Sequence, residues 1–208
     1  MKLFVLGATG GTGLEIVRQS IEHGHEVTTF VRNPERLKPF GDRIAVIRGD
    51  LLNVAELAKA IQRHDAVLSG FGPRYPVSKA EAHLLERFAV ALTNAMRQTG
   101  VRRVAIESVA LLFKDAIIPP AYILGRLFFS MTVADASAME QIIGTSGLDW
   151  TIVRPPELTN KPRTGKYRVR ESHLPLFGFA ISRADVADFM IRTIEMGTSI
   201  EKVVGVSN

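Results

Sequence analysis

The stretch KLFVLGATGGTGLEIV, residues 2–17, decides the fold because an apolar strand pattern leads directly into four glycines within seven residues. Gly7, Gly10 and Gly13 follow a GxxGxxG spacing, and Gly11 is a further position without a Cβ. Such glycines allow a tight turn, close approach of backbone N–H groups to a diphosphate, and close packing of the next helix on the sheet. An ordinary strand-to-helix turn has similar spacing, but the context favours dinucleotide binding. The predicted contacts in this loop are Gly7, Thr9, Gly10, Gly11, Thr12 and Gly13.

Beyond this loop, short apolar runs alternate with longer segments of helical periodicity. This alternation is typical of successive βα units around a mostly parallel sheet. The sequence therefore predicts a doubly wound α/β fold of the Rossmann type, with the sheet as the middle of three α/β/α layers. The predicted strands are residues 3–7, 26–32, 44–49, 65–70, 102–108, 149–155 and 202–206.

Two helices are indicated by their boundary residues. A capping box at Ser78 precedes a helical stripe that ends at Gly100, and Ser182 begins another helix with Asp185 three residues later. Residues 111–131 interrupt the regular alternation with paired prolines and large apolar side chains. We expect this segment to be a lid.

Length and composition indicate how the chain is organised. With 208 residues, of which 46% are hydrophobic, the chain suits one core better than two. We expect a single domain over residues 1–208, with a small substrate-pocket region built from about 108–131 and 155–180. No apolar run reaches the ~18 residues of a membrane helix and no cationic leader precedes the first strand, so a cytoplasmic protein without a membrane partner is expected.

The net charge, the absence of cysteine and the spacing of the histidines indicate which ligands to expect. The net charge of +5 suits an anionic small molecule better than a nucleic acid. The chain has no cysteine, and its five histidines form no recognised metal-binding pattern, so we expect neither a disulfide nor a metal.

The second predicted strand bears on the choice of cofactor. An acidic residue that binds a ribose is expected about 20 residues beyond the glycines. Arg32 stands there instead, and Arg36 follows one helical turn later. Guanidinium groups suit a 2′-phosphate because they are planar and permanently charged. NADP(H) is therefore predicted in preference to NAD(H), although two exposed surface arginines would give the same pattern.

Two further strand ends offer cofactor contacts. Asp50 follows the third strand, where its carboxylate could accept from an adenine amino group beside the backbone of Leu51, or could cap the next helix. Gly70 and Gly72 follow the fourth strand and would let the chain approach the cofactor, with Arg74 in the same loop.

Eight motifs follow one another along the chain, namely GATGGTG, VRNPERL, GDLLN, DAVLSGFGPR, ESVALLF, SGLDWTIVRPPEL, PRTGKYRV and ISRADVADFM. In this order they resemble the motifs of the atypical short-chain dehydrogenases/reductases, and more narrowly of their flavin reductase and biliverdin reductase B-like branch. The resemblance implies an NAD(P)H-binding oxidoreductase that passes hydride to a small planar acceptor such as a flavin, a quinone or a tetrapyrrole.

The resemblance also identifies candidate catalytic residues and departures from the family. Ser108 matches a serine that lies near the nicotinamide and the acceptor in this family, although it could instead satisfy the backbone at a strand end. Many relatives use a Tyr-x-x-x-Lys pair, but here Tyr122 is followed four residues later by Arg126, which does not exchange a proton. Glu157 stands where the narrower branch has histidine, which disfavours biliverdin as the acceptor.

A basic segment and two alternative functions complete the sequence-based expectations. In residues 161–170, Lys166 alternates with apolar positions as in a half-exposed strand, and could attract an anionic acceptor or simply face solvent. A non-catalytic, NmrA-like NADP(H)-sensing protein also fits the missing tyrosine and lysine pair. A sugar-nucleotide epimerase or isomerase is a further alternative, and the sequence leaves the oligomeric state open.

Overall fold

Each strand predicted from the sequence is a strand in the computed structural model, which describes residues 1–72, 83–113 and 129–208. Three short strands, β7 to β9, add to the predicted seven. The strands are β1 (Lys2–Leu6), β2 (Glu26–Val31), β3 (Ala45–Arg48), β4 (Ala66–Ser69), β5 (Arg103–Glu107), β6 (Asp149–Arg154), β7 (Glu157–Thr159), β8 (Arg168–Glu171), β9 (Ala180–Ser182) and β10 (Lys202–Ser207).

The helix boundaries follow the local signals in the sequence. Gly100 ends α3 in the left-handed region with φ of +74°, and the Ser182 hydroxyl oxygen accepts from the backbone N–H of Asp185 at the start of α5. The helices are α1 (Gly11–Glu22), α2 (Val54–Ile61), α3 (Leu84–Thr99), α4 (Ser130–Gly144) and α5 (Arg183–Glu195), with 3₁₀ segments at Glu35–Arg43 and Ala110–Leu112.

The main sheet has the strand order β3-β2-β1-β4-β5-β6-β10-β8, and all of its pairs are parallel except β10 with β8. The order reverses between β1 and β4, so the predicted doubly wound parallel sheet is confirmed. A small parallel pair, β7 with β9, lies outside it. Lys166 is exposed and Tyr167 is half-buried, as the predicted alternation requires. Every residue of the edge strand β8 is exposed, so the alternation fails at Val169.

Two hydrophobic layers cover the faces of the sheet. Side chains of α1 and α5 pack on one face, and those of α2, α3 and α4 pack on the other. Within β5, Ala105 joins the first layer, whereas Val104 and Ile106 join the second. The next two residues, Glu107 and Ser108, continue this alternation, so they point to opposite faces at the carboxyl end of the sheet.

None of the described helices is both long and apolar enough to cross a membrane. The prediction of one domain with a pocket region at 108–131 and 155–180 stays a prediction. Several sequence-based assignments lie outside the described residues, namely Arg74, the capping box at Ser78, Tyr122 with Arg126, and most of the expected lid.

Candidate functional site

A cleft of about 1040 Å³ opens at the carboxyl ends of the parallel strands, beside the reversal of strand order between β1 and β4. Open α/β sheets bind ligands at this position. The cleft brings together residues that the sequence assigns to the ends of five separate strands, β1 to β5. The predicted residues on its walls are Gly7, Thr9, Gly10, Gly11, Thr12, Arg32, Arg36, Leu51, Gly70, Gly72 and Ser108.

The glycine loop brings bare backbone to the cleft. Gly7 has φ of +68°, and a Cβ there would lie 2.5 Å from the backbone nitrogen of Phe71. A Cβ on Gly13 would overlap the carbonyl oxygen of Gly7, so Gly13 does not line the cleft but lets α1 pack against the exit of β1. No side chain caps α1 at Gly10, and the first-turn N–H groups of the helix are therefore available to an anion.

Two guanidinium groups flank this loop. Arg32 and Arg36 are exposed on the cleft wall, and Arg36 Nη1 donates to the carbonyl oxygen of Thr9 over 2.6 Å. Glu35 lies between them in sequence but pairs with Lys38. Since no ion pair of the described residues involves Arg32 or Arg36, both retain their charge for a ligand.

Ser108 belongs to a buried polar network on the α4 side of β5. Its Oγ donates to Oε1 of Glu140 over 2.5 Å. Arg154 donates to both carboxylate oxygens of Glu140, over 2.9 Å from Nε and 2.5 Å from Nη2, and lies 4.5 Å from the ring centre of Phe113. A carboxylate held by a guanidinium accepts hydrogen bonds and donates none. The hydroxyl proton of Ser108 is therefore donated to Glu140, and the lone pairs of Oγ face the cleft.

Glu107 lies on the opposite side of β5, facing α1. Its carboxylate accepts one hydrogen bond from the described residues, over 3.2 Å from the Thr12 hydroxyl to Oε1. Burial raises the pKa of the Glu107 carboxyl to about 7, and this effect outweighs the lowering by the Thr12 hydrogen bond and the charge of Arg183. The carboxyl group therefore changes its charge near neutral pH while it lines the cleft.

Arg183, the first residue of α5, adds a cationic side chain to the cleft wall. Its Nη1 donates to the carbonyl oxygen of Leu158 over 3.2 Å and to Oδ1 of Asn160 over 2.8 Å. A Cβ on Gly11 would lie 2.5 Å from Cδ of Arg183. Gly11 is thus needed for the side chain of Arg183 to cross the start of α1.

Besides Gly13, three predicted site residues among those described do not line the cleft. Asp50 is exposed, and its Oδ1 accepts from the backbone N–H of Leu52 over 3.0 Å. Glu157 is exposed because side chains alternate along β7, and its neighbour Leu158 lines the cleft instead. Lys166 is exposed before the edge strand β8. The structure therefore does not bring these three side chains together with the glycine loop.

The sequence-based reading missed Glu140, Glu107 and Arg183. A signal for Glu140 is present, because this charged residue stands among the buried Ala136 and Ile143 at helical spacing. Glu107 directly precedes the predicted Ser108, but its contact with Thr12 joins residues that are far apart in the chain. The packing of α1 on the sheet makes that contact, and the packing of α1 beside α5 places Arg183 at the cleft.

Comparisons with known proteins agree with this geometry. A family model described as NAD(P)H-binding matches residues 7–196. An uncharacterized chloroplastic protein of Arabidopsis thaliana is 35% identical, with 98% of this chain and 75% of the relative covered. A short-chain dehydrogenase/reductase of Veillonella parvula, solved in complex with NADP, has a TM-score of 0.82 at 19% identity, over 100% of this chain and 94% of that one. The anaerobillin reductase ChuY of Escherichia coli O157:H7 has a TM-score of 0.82 at 18% identity, over 100% and 97%.

Proposed function

The chain belongs to the NAD(P)H-binding family, in line with its resemblance to atypical short-chain dehydrogenases/reductases, and on that premise we propose that it is an NADPH-dependent reductase. The proposed acceptor is a flavin or a similar planar, conjugated molecule. When bound, NADPH supplies the hydride. The chain itself contributes binding, orientation of the reactants and exclusion of water.

One observation carries the proposal, namely the uncapped N-terminus of α1 beside bare glycine backbone within the cleft. Side chains at Gly7 or Gly13 would collide with neighbouring backbone, so this surface is fixed by the fold. Free N–H groups and the positive end of the helix dipole suit a diphosphate. These features fit the shared part of both nicotinamide dinucleotides.

The preference for NADPH over NADH is supported by Arg32 and Arg36. Both are exposed and face the cleft, and the hydrogen bond from Arg36 to Thr9 holds one guanidinium close to the glycine loop. A 2′-phosphate would add a charged partner for these groups, whereas the ribose hydroxyl of NADH would not.

The hydrogen bonding of Ser108 supports a flavin, which carries a ring N–H group, over a quinone, whose oxidised ring presents carbonyl oxygens. Because its proton is engaged by Glu140, Ser108 offers an acceptor atom and suits an N–H or O–H group of the ligand rather than a carbonyl oxygen. Among the cleft residues that the structure describes, none is a tyrosine or a lysine. Hydride transfer to a flavin or quinone needs no such pair when solvent supplies the proton.

A cofactor-sensing protein without turnover is the second candidate, and the same lack of tyrosine and lysine on the described cleft walls favours it. The two candidates differ in catalysis. Purified protein is mixed with NADPH and a panel of FMN, FAD and quinones, and absorbance at 340 nm is followed. A reductase consumes NADPH with at least one acceptor, and S108A slows that reaction. Tight NADPH binding without consumption across the panel would favour the sensor.

Cofactor choice is tested by calorimetry with NADPH and NADH. R32A/R36A should weaken NADPH binding by at least ~10-fold and leave NADH binding unchanged, because only the 2′-phosphate contact is lost. R43A is the matched control, since Arg43 is also exposed and bonds only to carbonyl oxygens of its own 3₁₀ segment. Equal affinities of the wild type for both dinucleotides would refute the preference.

A further inference from the structure

Away from the cleft, two imidazoles and a carboxylate converge at one corner of the molecule. His23 caps the C-terminus of α1, His25 precedes β2, and Glu195 is the last residue of α5. His23 Nδ1 and His25 Nε2 lie 2.9 Å and 2.8 Å from the same oxygen, Oε1 of Glu195. One nitrogen of each ring and a carboxylate oxygen all lie within 4.8 Å of one another.

The fold holds these three side chains in place before any ligand is present. The side chain of His25 is 8% exposed, while those of His23 and Glu195 are 23% and 28% exposed, which leaves one side open to water. The other nitrogen of His25, Nδ1, lies 3.4 Å from the amino nitrogen of Met1, so both ring nitrogens have partners. Metal binding would replace the two hydrogen bonds to Oε1, and the imidazole nitrogens and the carboxylate oxygen would then donate their lone pairs to the ion.

We propose that His23, His25 and Glu195 form a binding site for a divalent transition metal ion such as Zn²⁺. Two imidazole nitrogens and one carboxylate oxygen suit zinc, nickel or copper, whereas magnesium and calcium take mainly oxygen ligands. Zinc binds such ligands at about 2.0 to 2.2 Å, so ligand atoms of a tetrahedral site lie roughly 3.3 Å apart. The present separations of 2.8 and 2.9 Å need to widen only slightly. Water on the open side completes the coordination.

Such an ion would stabilise the folded chain. His25 and Glu195 are 170 positions apart in sequence, and only the packing of α1 against α5 brings them together. An unfolded chain does not hold the three ligands in place, so metal binding favours the folded state. Arg183 reaches the cleft from the opposite end of α5, so the metal site is separate from the cleft, and this inference does not rest on the proposed function.

A second group of candidate ligands, His83 with Glu86 and Asp135, provides a natural comparison. It contains one imidazole, and both oxygens of Asp135 accept backbone N–H bonds of 2.9 Å from Leu85 and Glu86 at the start of α3. Asp135 therefore already serves as a helix cap. We expect this group to bind metal far more weakly than the first.

The test is calorimetric titration of the untagged, EDTA-treated full chain with ZnCl₂, and with MgCl₂ as a control ion. The expected result is one Zn²⁺ per chain with a dissociation constant of about 10 µM or lower, no heat with Mg²⁺, and a higher melting temperature with Zn²⁺. H23A and E195Q should each weaken binding by at least ~10-fold, and H83A should leave it unchanged.

Two further measurements keep the test decisive. Circular dichroism of each metal-free variant shows whether it folds, and if one of H23A and E195Q does not, the other still reports on the site. Cu²⁺ bound to the wild type should give an electron paramagnetic resonance spectrum with nitrogen hyperfine splitting, which H23A changes. A dissociation constant above about 1 mM, or equal Zn²⁺ affinity of the wild type and a folded H23A or E195Q, would overturn the proposal.

Discussion

The two sides of the β5 terminus carry the same kind of group in opposite electrostatic situations. On the α4 side, the buried Glu140 has a guanidinium on both of its oxygens and a serine hydroxyl on one. On the α1 side, Glu107 accepts from one hydroxyl among the described residues, that of Thr12 over 3.2 Å. Consecutive residues of a strand face opposite layers, so a single strand end contributes both environments to one cleft.

The difference shows how packing partners, and not residue type, determine what a buried carboxyl group does. A buried carboxylate is retained in its charged form when its lone pairs meet donors, and it favours the neutral form when they do not. Glu140 can therefore hold a hydroxyl in a fixed orientation, whereas Glu107 can take up or release a proton near neutral pH.

The largest expected effect comes from removing the guanidinium on the α4 side. R154A leaves the carboxylate of Glu140 buried without its charged partner, which should lower the free energy of unfolding by about 3 to 5 kcal/mol. Urea unfolding followed by circular dichroism measures this loss. K202A is the control, because its pair with Glu171 is exposed and should contribute less than about 1 kcal/mol. A loss below about 1 kcal/mol for R154A would mean that Glu140 does not need this partner.

The second prediction concerns the pH dependence of stability that follows from the raised pKa of Glu107. The folded chain holds the Glu107 proton up to about pH 7, whereas the ordinary value is 4.5, so the folded state binds more protons between these limits. Its contribution to stability is therefore present below pH 4.5 and is lost as pH rises through about 7. E107Q lacks this titration. Its free energy of unfolding relative to that of the wild type should therefore rise by roughly 2 kcal/mol between pH 4.5 and pH 8. Parallel stability curves for the two proteins would disprove the shift, and the exposed E171Q should give such a curve.

The same titration should appear in dinucleotide affinity. At pH 8 an ionised Glu107 repels an anionic diphosphate in the cleft, so NADH should bind the wild type roughly fivefold more weakly than at pH 6. NADH is the appropriate probe because it lacks the 2′-phosphate, which has its own titration. In E107Q the affinity should change less between the two pH values. An equal change in both proteins would assign the effect to another group.

The sequence alone was sufficient to predict the fold and the wall of the cleft that the glycine loop forms. Gly7, Gly13 and the alternation of apolar runs are local signals, because strand exits, helix starts and periodicity each depend on neighbouring residues. Arg32 was found from its place at the end of the second predicted strand, whereas Ser108 was identified through the family resemblance.

The rest depended on contacts between distant parts of the chain. The bond from Thr12 to Glu107 and the ion pair of Glu140 with Arg154 arise only when helices pack on the sheet. The failure of the predicted alternation at Val169 has a related cause, because alternation predicts one buried face and an edge strand such as β8 can be exposed on both. The convergence of Glu195 on two histidines was likewise invisible in spacing.

A smaller effect is expected from the hydroxyl on the α4 side. S108A removes one donor from Glu140 while Arg154 still holds both oxygens, so the loss of stability should be about 1 kcal/mol. Urea unfolding beside R154A measures the two contributions under the same conditions. If S108A lowers the free energy of unfolding as much as R154A does, Glu140 depends equally on the serine hydroxyl and on the guanidinium. The guanidinium would then not be its main partner.

The smallest expected change comes from the single donor on the α1 side. T12V keeps the side-chain shape but removes the hydroxyl that donates to Glu107, and since this bond lowers the pKa, its loss should raise the pKa further above about 7. Carbon-13 NMR of the Glu107 carboxyl follows the titration directly. T9V is the matched control, because Thr9 accepts from Arg36 through its backbone carbonyl oxygen, which the substitution keeps. A midpoint that stays in place or falls in T12V would show that a group other than Thr12 sets the charge of this carboxyl.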